Sequence, residues 1–170
     1  MTIEVLEAGE EWAQAIFNMG RIYVYDMSEY MDGIDNWRFP DGGQYELDDY
    51  FPEYWRDDAR WPFIVKVDGE LAGFVLVNTV GAFAETDYNI AEFFIHRKKR
   101  RQGVGEAVAR NIFERFEGQW EVARMPRNTP AIGFWDRVVA DYSDGNFTNT
   151  RHEFGEPNPH TMLILRFDNG

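Results

Sequence analysis

One stretch constrains the fold more than any other: Asn89-Ile-Ala-Glu-Phe-Phe-Ile-His-Arg-Lys-Lys-Arg-Arg-Gln-Gly-Val-Gly-Glu106. Asn89–Ile95 is a mainly apolar run of strand length. Five consecutive basic residues follow, Arg97–Arg101, and then Gly103 and Gly105. From Val104 onward, Val108, Ile112 and Phe116 recur at i, i+4 with Ala107 beside them, which is the spacing of one helix face. The segment therefore reads as a strand that turns through a basic, glycine-bearing loop into a helix. The first N–H groups of a helix lack intrahelical partners, and the macrodipole is positive there. Gly103 and Gly105 remove side chains that would hold a bulky anion away, and the basic run adds charge. Physically this is a seat for phosphate or pyrophosphate. It is neither common nucleotide loop. No Gly-x-x-x-x-Gly-Lys-Ser/Thr occurs, which argues against Mg-nucleotide hydrolysis, and no Gly-x-Gly-x-x-Gly follows a first strand, which argues against a Rossmann site.

The rest of the chain surrounds this segment with alternating strands and helices. Thr2–Glu7 alternates apolar and polar residues and reads as a strand; Trp12, Ala15, Ile16, Met19, Ile22 and Tyr23 recur at helical spacing. Residues 26–60 are interrupted by glycine and proline, and a short helix or two among loops is expected there. Asp68-Gly69 between Phe63–Val67 and Leu71–Val77 predicts a hairpin with a type I′ turn, which needs positive φ at both central residues. Trp120–Ala123, Phe147–Phe154 and Met162–Phe167 read as further strands. Pro130, preceded by Asn128 and Thr129 as capping residues, opens a third helix with Ala131, Phe134, Trp135 and Val138 on its apolar face. A mixed sheet with helices on both faces follows. The 170 residues contain no repeat or linker and fit one domain, 1–170.

Composition narrows the function classes. With no cysteine, disulfides, thiol catalysis and Cys-ligated metals are out. His96, His152 and His160 match no ligand spacing, so no metal is expected. The net charge is −13, and residues 1–60 carry 15 acids against four bases. That part would repel nucleic acid and attract a cationic or amine partner, the alternative being that its acidic loops serve only to keep the protein soluble. No apolar run approaches a membrane span, and no signal-peptide pattern opens the chain, so a cytoplasmic location away from membranes is expected.

Arg100-x-x-Gly103-x-Gly105 is similar to the Arg/Gln-x-x-Gly-x-Gly/Ala signature of the GNAT superfamily of N-acetyltransferases. Glu92-Phe93-Phe94-Ile95 resembles that family's fourth strand, which often carries a glutamate eight residues before the signature. Asn128-x-x-Ala131-x-x-Phe134-Trp135-x-Arg137 resembles its second segment, Asn-x-x-Ala-x-x-Phe-Tyr-x-Lys. The resemblance implies an α/β (α+β) fold: a mixed, mostly antiparallel sheet of about six to seven strands, strands 4 and 5 splayed, helices on both faces. Residues 61–140 would be the acetyl-CoA-binding core, 1–60 the acceptor side, and 141–170 the final strands.

It implies a direct, acetyl-CoA-dependent transfer to a primary amine of a small molecule or peptide. The turn Arg100, Arg101, Gln102, Gly103, Val104, Gly105, Glu106 would hold the pyrophosphate through backbone N–H groups. Backbone groups near Phe94 and Ile95 would pair with the pantetheine arm. Asn128 would contact the cofactor or hold its turn, and Trp135 would lie near the thiol end. Glu92 is the candidate general base, its alternative role being to anchor a basic neighbour. Many members carry tyrosine where Trp135 stands, serving as general acid; an indole N–H cannot deliver that proton. Either the thiolate leaves unassisted or another phenol helps, Tyr142 being nearest in sequence; its alternative is ordinary packing. Tyr23, Tyr30, Glu29, Asp32, Trp37 and Asp48 form a candidate acidic, aromatic acceptor pocket. The substituted position also leaves open a degenerate acyl-CoA-binding sensor or interaction domain. Family members often form homodimers.

Overall fold

The structure is a computed structural model that describes residues 1–31, 39–47, 49–156 and 159–170. Among the described residues, seven strands and three α-helices follow one another: β1 Ile3–Glu7, α1 Ala13–Ser28, β2 Arg60–Val67, β3 Glu70–Asn78, β4 Tyr88–Ile95, α2 Val104–Phe113, β5 Gln119–Arg124, α3 Thr129–Tyr142, β6 Phe147–Phe154 and β7 His160–Asp168. A 3-10 turn, Glu10–Trp12, leads into α1, and a short 3-10 helix, Phe51–Trp55, lies before β2. The strands form one sheet in the order β1-β2-β3-β4-β5-β7-β6. Every neighbouring pair is antiparallel except β4–β5. The expected mixed sheet with splayed fourth and fifth strands is thus present.

Local sequence explains these elements. Asp68 (φ 53°) and Gly69 (φ 80°) both take positive φ and close the β2–β3 hairpin. The Asn128 side chain caps α3 by accepting a hydrogen bond from the Ala131 N–H at 3.1 Å, and Pro130 follows in the first turn. Two boundaries differ from expectation. α1 continues to Ser28, beyond its apolar stripe, because Asp26 finds cationic partners across the fold. α2 ends at Phe113; Phe116 lies past its end but still packs, 5.0 Å from the Trp61 ring and 4.9 Å from Tyr88.

The sheet has two apolar faces. On one, α2 and α3 place Val104, Val108, Ile112, Trp135 and Val138 against residues such as Phe63, Val75 and Trp120. On the other, Ile16 of α1 packs with Leu47, Phe51 and Tyr54 over Ile64, Phe74, Leu76 and Phe94. Full burial of a large apolar side chain contributes about 1.5–3 kcal/mol, so both layers hold the sheet rigid beneath the site.

Two irregularities of β4 build that site. Leu76 pairs with Glu92 but Val77 pairs with Ile90, so Ala91 is an extra, bulged residue. In addition, β4 meets β5 only through Tyr88, Asn89 and Ile90, opposite Trp120, Glu121 and Val122. Beyond Ile90 the two strands are no longer paired with each other, and a wedge opens between them. The far end of β5 is fixed by the fully buried Arg124, which donates to Asp136, to Asn149 (2.8 Å) and to the Leu163 carbonyl (3.3 Å).

Candidate active site

The wedge leads to the N-terminus of α2. Gly103 precedes the helix with φ +80°, and a Cβ added there would meet nothing within 4 Å. This position needs glycine for its backbone conformation, and it faces open space in front of the helix. Gly105 has a different role: a Cβ would come within 3.1 Å of the Phe134 ring, so its bareness lets α3 approach α2. Helix packing is thus a reason for glycine at this position, beside any room it leaves for an anion. Arg101 also takes positive φ (61°), and Gln102 Nε2 donates to the Lys98 carbonyl at 2.7 Å, tightening the loop. Val104 is fully buried and anchors the helix start; Glu106 accepts from Arg110 at 3.4 Å.

The basic run is less available than its charge suggests. Arg97 and Arg100 both reach back to Asp26, at 2.6 and 2.8 Å, and Lys99 lies 3.5 Å from Glu70. Partial burial alone would raise the Asp26 carboxyl, but hydrogen bonds and charge from Arg97 and Arg100 hold it below the usual range. Arg100 Nε donates to the Ile95 carbonyl at 2.7 Å, and the guanidinium lies over the Phe94 ring at 5.8 Å. Arg100 therefore ties β4, the turn and α1 together. An anion at α2 would depend mainly on backbone N–H groups. Phosphate of acetyl-CoA fits this open helix terminus, and an extended arm fits the wedge.

On the α1 side of the bulge stands Glu92. Burial pushes its carboxyl up to about 7, and a hydrogen bond from the Tyr23 hydroxyl opposes that rise. Tyr23 packs edge-on to Phe74 (6.1 Å) and Phe94 (6.3 Å), which fixes the ring over β3 and β4. Burial, with the Glu92 charge, raises the Tyr23 phenol well above its ordinary value. Beside them lies a polar cluster. The Tyr50 and Tyr54 hydroxyls are 2.8 Å apart, and buried Asn78 donates to both, at 3.2 and 2.9 Å. Burial raises both phenols, Tyr54 to about 12. The Arg60 guanidinium covers the two rings at 5.6 and 5.4 Å. The available sequence signal was Asn78 closing an apolar strand; nothing in linear spacing joins it to Tyr50, Tyr54 and Arg60.

The other expected residues scatter. Trp135 is only 6% exposed and packs against Phe93 (4.9 Å), Phe134 (4.9 Å) and Phe113 (6.4 Å), on the sheet face opposite Glu92. Asn128 caps α3 and donates to the Met27 sulfur at 3.8 Å, which fits holding the turn. Tyr142 stands at the far end of α3, its ring against Phe113 and Phe167 and its hydroxyl 3.3 Å from Asn169 Nδ2. These contacts are packing contacts. Among the pocket candidates, Tyr23 reaches Glu92, whereas Glu29 lines an open hollow with Tyr25, Asp26, Ser28 and Arg97. Asp32, Trp37 and Asp48 lie outside the described residues. His152 contacts Phe83 and Phe154, and His160 stacks on Phe154.

Residues 24–139 match the acetyltransferase (GNAT) family, and the chain belongs to it. Acetyl transfer dependent on acetyl-CoA is that family's chemistry. No curated protein matches the sequence. Solved structures share the fold. One, a Corynebacterium glutamicum protein described as histone acetyltransferase HPA2 and related acetyltransferase, is 15% identical over 98% of this chain and 96% of its own, with a TM-score of 0.69. The yncA protein of Salmonella typhimurium, solved with its cofactor acetyl-CoA, is 11% identical over 100% and 95%, TM-score 0.65. A ribosomal-protein alanine N-acetyltransferase of Escherichia coli is 10% identical over 98% and 94%, TM-score 0.61.

Proposed function

We propose that this protein transfers the acetyl group of acetyl-CoA to the nitrogen of a primary amine, with Glu92 as general base. The observation that carries the reading is the Glu92 carboxyl, enclosed at the β4 bulge beside the wedge, with its pKa moved to about 7. When bound, acetyl-CoA supplies an electrophilic thioester. An amine attacks only when neutral, and a base of pKa near working pH is suited to take its proton. The backbone N–H groups along the wedge side of β4 are donors for a carbonyl oxygen as negative charge develops on it. Trp135 holds no proton to give, so the thiolate leaves without help from that position. The N-acetyltransferase activity of the Escherichia coli structural neighbour agrees with a nitrogen acceptor.

The test is thiol release from acetyl-CoA across a panel of amines, with wild type and Glu92→Gln side by side. Loss of a general base lowers kcat/KM by roughly 100-fold or more while acetyl-CoA affinity is kept. Equal rates in both proteins would remove Glu92 from the chemistry. No thiol release with any amine, despite tight acetyl-CoA binding, would remove the transferase reading.

A further inference from the structure

Two guanidinium groups of the basic loop meet on one carboxylate. Arg97 Nη2 donates to Asp26 Oδ1 at 2.6 Å, and Arg100 Nη2 donates to Asp26 Oδ2 at 2.8 Å. One anion that bridges two guanidiniums through two oxygens is also the way a phosphate group is held. Asp26 comes from the last turns of α1, far away in sequence, and its side chain is only 13% exposed. The chain's own acid thus occupies two of the cations that stand before the α2 terminus.

The two arginines are held unequally. Arg100 is tied to Asp26, to the Ile95 carbonyl through Nε (2.7 Å) and to the Phe94 ring. Arg97 is tied by its hydrogen bond to Asp26, and its side chain is 70% exposed. An ion pair with so exposed a partner is a weak tie. With Tyr25, Asp26, Ser28 and Glu29, Arg97 borders an open hollow of about 290 Å³, so its guanidinium has room to move. The loop also folds back on itself. Gln102 Nε2 donates to the Lys98 carbonyl (2.7 Å) and the Arg100 N–H to the Arg97 carbonyl (3.2 Å), which draws Arg97 toward Gly103. If Arg97 leaves, Asp26 keeps Arg100, and no half-buried charge is stranded.

We infer that Arg97 is an exchangeable arm of the cofactor site, held by Asp26 until a phosphate group of acetyl-CoA takes that carboxylate's place. This rests on the reading of the α2 terminus as the anion seat. Every charge stays paired in the exchange: Arg97 passes from carboxylate to phosphate, and Asp26 retains Arg100. Arg97, and not the better-tied Arg100 that opens the glycine signature, supplies the side-chain charge beside the backbone N–H groups. Asp26 is then a positioning residue that competes with the cofactor and lowers its affinity.

The experiment is isothermal titration with acetyl-CoA, without any amine, on wild type, Asp26→Asn, Arg97→Gln and the double variant. Asparagine leaves Arg100 an acceptor but no longer holds Arg97 by charge. Asp26→Asn is expected to bind roughly 3- to 10-fold tighter, the value of an exposed ion pair and of one negative charge removed. Arg97→Gln is expected to bind roughly 10-fold more weakly, through loss of a hydrogen bond to a charged group. In the double variant the gain from Asp26→Asn is expected to vanish, because the arm it releases is gone. Thermal midpoints taken alongside separate a lost contact from a lost fold. Arg97 is exposed, so Arg97→Gln carries the test by itself if Asp26→Asn does not fold. Unchanged or weaker binding by Asp26→Asn, the same gain with and without Arg97, or unchanged binding by Arg97→Gln overturns the inference and leaves the site reading intact. Absence of binding by wild type overturns both.

Discussion

Replacing Glu92 by glutamine should make the protein more stable while disabling it, and the gain should depend on pH in one direction only. The folded carboxyl has its pKa at about 7 against an ordinary 4.5, the main cause being burial. Between those two values the unfolded chain has lost its proton and the folded chain still holds one. Stability therefore falls as pH rises through that window, by about 1.4 kcal/mol per unit, and is flat above it. The whole step amounts to about 3 kcal/mol. Part of the Glu92 residue stays exposed, so that figure is an upper end. Glutamine carries no charge to desolvate, and its carbonyl still accepts from the Tyr23 hydroxyl. The assay is urea unfolding of both proteins at pH 5, 6, 7 and 8. The difference in favour of Glu92→Gln should open as pH rises from 5 and level off above 7. In thermal midpoint it corresponds to about 2–4 °C per kcal/mol for a chain of this size. A difference independent of pH, or one that grows toward pH 5, would refute the buried-carboxyl account.

Three further outcomes follow from single contacts. Tyr23→Phe removes the hydrogen bond that holds the Glu92 pKa down, so the acid limb of the pH profile of kcat/KM should move upward from about 7; an unmoved limb would separate Tyr23 from the base. Asn128→Ala removes the α3 cap and should cost about 0.5–2 kcal/mol in urea unfolding. Gly105→Ala pushes a methyl group toward the Phe134 ring and should lower the thermal midpoint while leaving acetyl-CoA affinity within a few-fold; an affinity collapse at unchanged stability would return Gly105 to the anion seat.

The layered sheet was legible because each element carried its own signal. Asp68-Gly69 dictated a turn, Asn128 with Pro130 opened a helix, and the period of Val104, Val108 and Ile112 defined the face of α2. The basic loop was legible as a loop but not as a network. That Arg97 and Arg100 spend their charge on Asp26 depends on α1 crossing beneath β4, which no local pattern records. The packing role of Gly105 was hidden for the same reason, since its neighbour is Phe134, on another helix. Glu92 was recognisable from its place before the glycine turn. Its companions were not, because Tyr50, Tyr54, Asn78 and Arg60 converge from a short 3-10 helix with its preceding residue and from two strands of little apparent distinction.

Isothermal titration with acetyl-CoA, on wild type and on Gly103→Asp, tests the central claim most directly. Gly103 sits at φ +80° before α2 with open space in front of it, so aspartate there adds bulk, strain and negative charge at the anion seat. The account expects one molecule bound per chain by wild type and none by the variant. Absence of binding by wild type at millimolar acetyl-CoA, or equal binding by both proteins, would contradict the assignment of the wedge and the α2 terminus as the acetyl-CoA site.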